Sequence, residues 1–256
     1  MGTPASDAVR VDSCGVFDVG SSISYLVLRG ILSHEHGVTC EDGVMFVVTL
    51  TQRSAEPSQQ HVSAFHQDLQ ERLNTDLPKS WATDETWYRQ TFSSSEHVVE
   101  TALHAMRSKT WNVGIGIGSV TEHEQTRASS GAKAADLAVA LAAKQGQLVP
   151  LRVEAAKPPR GVEQTQLGKH AQSVLQLLGH IVTHRSSAEW AVIDRLDPGV
   201  RGQQRRVANE LGMTVQAVSQ AMKRSLYNTE HEVRAAVTLL LDQADAAVKI
   251  QESSNR

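Results

Sequence analysis

Residues 203–226, QQRRVANELGMTVQAVSQAMKRSL, read as two short helices folded across a tight turn. Val207, Ala208 and Leu211 fall at i, i+1 and i+4, so they share one helical face. Gly212 then supplies the left-handed residue with which helices commonly end. Thr214 is a good N-cap for the second helix, in which Val215, Val218 and Met222 recur at i, i+3 and i+7. Ala208 is small enough to let the two helices cross closely. The remaining face of the second helix is polar and carries Thr214, Gln216, Ser219, Gln220, Lys223 and Arg224. Such side chains match base edges: amides pair with adenine, Lys or Arg with guanine, and hydroxyls with either. Gln203, Arg205 and Arg206 open the first helix, where long side chains and free backbone amides meet phosphate. The stretch therefore reads as a helix-turn-helix, with a helical hairpin of ordinary solvated surface as the competing reading.

Composition narrows the field. The chain has 256 residues with 40% hydrophobic content, enough for one or two domains with a real core, and only 4% aromatics, so that core is mainly aliphatic. A net charge of -3 excludes a chain that is basic throughout, so any affinity for nucleic acid must come from a local patch. Residues 160–226 hold nine Lys and Arg against five Asp and Glu, which supplies such a patch. Two cysteines, Cys14 and Cys40, make neither a disulfide framework nor a four-ligand zinc site. With no charged-then-apolar leader and no apolar run near the roughly 20 residues of a membrane span, a soluble, reduced, cytoplasmic protein is expected.

Residues 1–43 fit poorly with the rest of the chain. Ile23 to Leu28 suits a short strand, but SHEHGVTCEDG at 33–43 is loop-like. The segment reads either as an upstream extension of the reading frame, weakly ordered, or as an added strand or arm. From Val44 the pattern becomes regular. VMFVVTL is a buried-strand pattern, Val62, Phe65, Leu69 and Leu73 recur at helical spacing, and TWYRQTF at 86–92 is a second strand. Val98, Val99, Ala102, Leu103 and Met106 mark a second helix. In WNVGIGIGSV, Gly114, Gly116 and Gly118 alternate with Val113, Ile115 and Ile117, so a strand here has one aliphatic face and one of bare backbone. A bare face admits a ligand, another backbone or a partner subunit. An alanine-rich helix at about 132–144 and a strand at 148–153 complete the set, with room for one more strand at 78–83.

This order predicts an α+β domain over 44–155, a ferredoxin-like sandwich with helices on one side of its sheet. Pro158 and Pro159 in the segment 156–161 mark a linker. An all-α domain comes next, over 162–250. Leu167, Ala171, Val174, Leu175, Leu178, Ile181 and Val182 define a long helix, and Ser186 with Glu189 forms a capping box for a short one. Thr229 with Glu232 caps a last helix, whose stripe Val233, Val237, Leu240, Leu241 and Ala244 faces either the core or a second subunit. A homodimer is expected, since one reading helix rarely binds DNA tightly by itself.

Two segments, VVTLTQRS with ATDETWYRQTF, and two more, VGIGIG with ASSGAKAADLA, together with RRVANELGMTVQAVSQ, resemble the SatD family of bacterial proteins over roughly residues 45–245. The resemblance implies a nucleotide-cyclase-like ferredoxin fold joined to a helix-turn-helix. Where the family has Gly-Asp-Ile and Gly-Asp-Glu, this chain has Thr49 to Gln52 and Thr83-Asp84-Glu85. A cyclase-type site needs carboxylates from different strands to hold its metal ions, and adjacent Asp84 and Glu85 would point to opposite faces of a strand. No catalytic residue is therefore assigned.

Other constellations are weak. His180 and His184 lie at i, i+4 without a third ligand, and His34, His36 and Cys40 form a small cluster in the first segment. GIGIGS has neither dinucleotide nor P-loop spacing, and no triad is supported, so no cofactor and no metal are expected. Gly114, Gly116, Gly118, Ser129, Ser130 and Gly131 form the candidate face for a small-molecule effector, the serines doubling as ordinary helix caps. The expected function is a DNA-binding transcriptional regulator acting on double-stranded DNA; the alternative is a nucleotide-binding or cyclase-like enzyme whose helical part serves oligomerisation.

Overall fold

The computed structural model describes residues 44–54, 56–77, 87–120, 129–144, 146–156 and 165–254. The histidines and cysteines of the first segment, the strand expected at 78–83, Asp84, Glu85 and most of the proline linker lie outside them.

Seven elements alternate first: β1 (Val44–Gln52), α1 (Gln59–Leu73), β2 (Trp87–Phe92), α2 (Ser95–Ser108), β3 (Trp111–Ser119), α3 (Ser130–Ala142) and β4 (Leu151–Ala155). Their sheet has the order β2-β1-β3-β4. Strand β1 runs antiparallel to both β2 and β3, whereas β3 and β4 are parallel, as a crossover through a helix requires. The α+β class holds. Strand β4 starts later than the apolar run at 148–153 suggests: Pro150 precedes it, and Leu148 is 79% exposed.

Register and alternation give the sheet two unlike faces. Phe46 pairs with Phe92 and Ile117, Val48 with Ile115, and Leu50 with Tyr88 and Val113, so apolar side chains collect on one side. Leu151 and Val153 of β4 continue it opposite Val113 and Ile115. Helices α1 and α2 cover part of this face with Phe65, Leu69, Val99, Leu103 and Met106. The rest is covered by two helices from beyond the linker, α4 (Thr165–His184) and α8 (Tyr227–Ser254). Leu175, Leu178 and Val182 of α4 and Val237, Leu241 and Ala244 of α8 belong to the same core as the strands. The principal core thus crosses the expected boundary at 156–161, because half of an aliphatic sheet face would otherwise lie open to water. The stripe on α8 faces that core. Helix α8 begins at Tyr227, two residues before the expected Thr229 cap, after Leu226 adopts a left-handed turn at φ 54°.

The opposite face is also covered, which corrects the one-sided arrangement expected from the sequence. Helix α3 lies directly on the glycines of β3. A Cβ placed on Gly114 would sit 2.4 Å from the Val139 amide nitrogen, and one on Gly116 would sit 2.2 Å from the Gly131 carbonyl oxygen. The alternation of glycines therefore makes a trough that admits a helix backbone, and Ala135, Ala138 and Ala142 are the small residues that let it settle there. Beyond the trough, Arg89 is buried on this face and pairs with Asp136 of α3 while donating to Thr49 Oγ1 at 3.1 Å.

The exposed edge of β4 is closed by side chains. Gln172 Oε1 accepts from the Val153 amide at 3.1 Å, and Gln176 Nε2 donates to the Leu151 carbonyl at 3.0 Å. One turn of α4 thus stands in for a neighbouring strand, which prevents edge-to-edge pairing at β4.

Candidate nucleic-acid interface

Three helices form a second, smaller core beside the first: α5 (Ser187–Ile193), α6 (Gln204–Leu211) and α7 (Val215–Arg224). Val192, Leu196, Val207, Ala208, Val218 and Ala221 are buried in it, with Leu211 and Met222 packed alongside. The capping box of α5 forms as expected: Ser186 Oγ accepts from the Glu189 amide, and the Glu189 carboxylate accepts from the Ser186 amide at 2.8 Å. Helix α6 stops at Gly212, φ 63°, with the Met213 amide donating to the Ala208 carbonyl at 2.9 Å. That is a six-residue closing bond of the kind that ends helices at a left-handed glycine. Thr214 caps α7 by accepting from the Ala217 amide at 3.1 Å. The turn between the two helices is therefore only Gly212, Met213 and Thr214, and Val218 and Ala221 point inward across it.

With those residues inward, Gln216, Gln220, Lys223 and Arg224 lie on the open surface and Ser219 is half-buried between them. Gln216, Ser219, Gln220 and Lys223 stand at i, i+3, i+4 and i+7, so they form one stripe along α7. Arg224 flanks the stripe and reaches Glu189 at 3.6 Å. The pair is surface-exposed on the arginine side and holds it weakly. Thr214 uses an oxygen lone pair for its cap, which places it at the start of the stripe rather than free within it.

Two of the residues expected to meet phosphate are otherwise engaged. Gln203 is buried; its Oε1 accepts from the Asp197 amide at 2.8 Å and its Nε2 donates to the Asp197 and Val200 carbonyls. Its role is to pin the turn at 197–200 against α6, a partner the sequence gives no way to identify. Arg206 is tied to Asp197 at 2.9 Å and Glu210 at 3.0 Å and donates to the Arg195 carbonyl. Arg205 is exposed with no ion pair among the described residues, and Arg201, which the helical pattern does not single out, is exposed in the turn just before α6. The signal that could have found it is the cationic spacing of RGQQRR at 201–206.

The candidate effector face is not an opening. Gly114, Gly116 and Gly118 lie under α3, and Gly131 lies against the backbone of Gly118. Ser129 Oγ caps α3 by accepting from the Ala132 amide at 3.1 Å, and Ser130 Oγ accepts from the Ser119 amide at 2.9 Å. Of the three occupants a bare strand face admits, a backbone of the same chain takes it. His180 and His184 have ring centroids 4.0 Å apart with their planes tilted by 40°, and His184 Nδ1 donates to the His180 carbonyl at 2.7 Å.

A line of charged groups joins the three-helix unit to the helices on the sheet. Arg107 of α2 holds Asp194, the residue that ends α5, through two bonds of 2.6 and 2.7 Å, and stacks 4.0 Å over the ring of Trp190. Arg185 and Glu230, both buried, pair at 2.5 Å; Arg185 also donates twice to the carbonyl of Ser225, which ends α7. Glu230 and Glu100 in turn hold Arg234. Burial pushes the Glu100 carboxyl up, but Arg234 and Arg72 together outweigh it and leave Glu100 below its ordinary value. Burial, then Arg72, holds His104 below the usual histidine value despite Asp68 at 2.9 Å, so its ring is neutral at neutral pH. No motif announces these links, since their members lie 40 or more residues apart in every case that reaches from α2 or α4 to the three-helix unit.

Among the described residues no helix is long and apolar enough to cross a membrane. Compared with known protein families, curated proteins and solved structures, the chain matches none.

Proposed function

We propose that the chain is a cytoplasmic DNA-binding regulator, active as a homodimer, that lays α7 in the major groove of double-stranded DNA. One observation carries this reading: Gln216, Ser219, Gln220 and Lys223 form a single stripe that nothing in the described chain covers. Amide, hydroxyl and ammonium groups at these spacings are the side chains that read base edges, while the exposed Arg201 and Arg205 near the start of α6 and Arg224 at the end of α7 are cations that would meet phosphates. Likeness to the SatD family, with its cyclase-like ferredoxin-type sheet, belongs to the same proposal and rests on the quoted segments. The adjacent parallel pair β3 and β4 and the helix on the glycine face set this sheet apart from a one-sided ferredoxin-type sandwich. The cyclase-like alternative loses its open glycine face to α3 and gains nothing in return.

Fluorescence anisotropy with a pool of genomic duplexes tests the reading. Arg205→Ala should weaken binding to all sequences alike and lower the slope of log affinity against log salt by about 1. Gln216→Ala and Gln220→Ala should each cost about 1–3 kcal/mol at one base position and leave that slope unchanged. Arg206→Ala, by contrast, should act mainly on folding, because its guanidinium is already engaged by Asp197 and Glu210. Loss of affinity without any change of sequence preference in both glutamine variants would count against base reading by α7.

A further inference from the structure

We propose that the cleft enclosed by α2, α5 and the start of α8 binds a small ligand bearing a phosphate or carboxylate group beside a hydroxyl, and that its occupancy loosens the helix-turn-helix from the sheet helices. The binding half stands by itself; the coupling half rests on the DNA-binding reading. The cleft has a volume of about 320 Å³, and its wall is shared by both parts of the molecule. Arg72, Arg107, Arg185 and Arg234 line it against Glu100, Asp194 and Glu230, an excess of one positive charge.

Two enclosed polar atoms in this wall have no hydrogen-bond partner, His104 Nδ1 and Tyr227 Oη. Buried polar groups are nearly always paired, so two such atoms on one cleft point to a missing occupant. The His104 side chain is only 8% exposed, and its Nε2 lies 2.9 Å from Asp68 Oδ2. A neutral ring whose Nε2–H donates to that carboxylate leaves Nδ1 as an acceptor without a donor, a place that a ligand hydroxyl would fill. Tyr227 Oη can donate to an anionic oxygen. Arginine supplies the rest, since a guanidinium binds phosphate or carboxylate in a two-point fork.

Arg107 supplies the coupling. It presently gives both arms of its fork to Asp194, at 2.6 and 2.7 Å, and Asp194 closes the first helix of the reading unit. An oxyanion that takes the Arg107 fork displaces that carboxylate directly. Arg107 has 27% of its side chain exposed, close to Arg234 at 31% and Arg72 at 36%, and of these three it is the one that holds Asp194, whereas Arg185 has 2% and stays structural.

The test uses the full chain and two probes, inorganic phosphate and malate, titrated against chloride at constant ionic strength. Either probe should raise the thermal midpoint by about 3–5 °C for each tenfold rise above its dissociation constant. Tyr227→Phe should leave the unliganded midpoint within about 1 °C, since the lost hydroxyl has no partner, and weaken the probe about tenfold. Arg107→Gln should abolish the shift. No shift with either probe, a shift equal to that of chloride, or an undiminished shift in Tyr227→Phe overturns the site. Anion binding that leaves DNA affinity unchanged overturns the coupling, and anion binding by a chain that retains no duplex overturns the DNA-binding reading while the site stands.

Discussion

Gly116→Ala should unfold the protein or cost at least about 3–4 kcal/mol, the largest loss expected of an added methyl at any of the described glycines. The added carbon would stand 2.2 Å from the Gly131 carbonyl oxygen, 2.4 Å from the Ala135 amide nitrogen and 2.9 Å from the Ala135 Cβ. Two of the three obstacles are backbone of α3 and the third is rigidly attached to it, so no side chain can rotate away. The helix must lift off the sheet, and lifting it opens the trough along β3 to water. Typical domains hold only about 5–15 kcal/mol in total, so a urea melt should show a midpoint moved far down or no folded baseline. Gly146→Ala is the matched control: its φ is +82° and nothing lies within 4 Å, so only backbone strain of about 1–2 kcal/mol applies. Gly116→Ala melting like the control would mean that α3 does not lie in the trough.

The second large effect is expected from Glu230→Ala, about 3–5 kcal/mol. Arg185 and Glu230 are almost fully enclosed, with 2% and 4% of their side chains exposed, and lie 2.5 Å apart. Removing the carboxylate leaves the Arg185 guanidinium in the interior with the Ser225 carbonyl and the Trp190 ring, 4.9 Å away, but no counter-charge, and strips Arg234 of one of its two acidic partners. The consequence is local as well as global. Arg185 follows α4 directly and Ser225 ends α7, so this arginine ties α7 to a helix of the main core. A thermal melt should show the loss of stability, and amide exchange should show α7 losing protection before the strands do. The double variant Arg185→Met with Glu230→Met should recover much of the loss, because a well-packed apolar pair avoids the cost of an uncompensated charge. If Glu230→Ala melts within about 1 kcal/mol of the parent, the pair is not enclosed as described.

Local patterns are the legible part of the sequence. Gly212, Thr214 and the inward Val218 carry the turn and both caps within a dozen residues, and each is placed by rules that need no knowledge of distant partners. Alternation in β3 likewise shows a bare face, but not that α3 fills it. The clue is present in GAKAADLAVALA, whose small residues are wasted unless something approaches closely. Gln203 shows the opposite case: an amide at a helix start looks like a phosphate contact, and only the fold shows that Asp197 and Val200 take its hydrogen bonds. Pro158 and Pro159 are a sound sign of a break in secondary structure and a poor guide to where one core ends. A sheet with an aliphatic face as wide as this one needs cover, and α1 with α2 is too little to provide it. The ion pairs between α2, α5 and α8 are beyond reach, since charged residues far apart in sequence reveal their pairing only in three dimensions.

DNA reading by α7 through Gln216, Gln220 and Lys223 is the premise on which the function rests. Selection of random duplexes by the full chain at about 50 mM salt, with sequencing of the retained pool, tests it most closely, since non-specific affinity is strong there and specific motifs still stand out. The expected result is an enriched two-fold symmetric motif with half-sites one helical turn apart, about 10–10.5 base pairs, which changes at defined positions in Gln216→Ala and Gln220→Ala. Retention of no duplex, or retention with no motif that responds to those two variants, would contradict it.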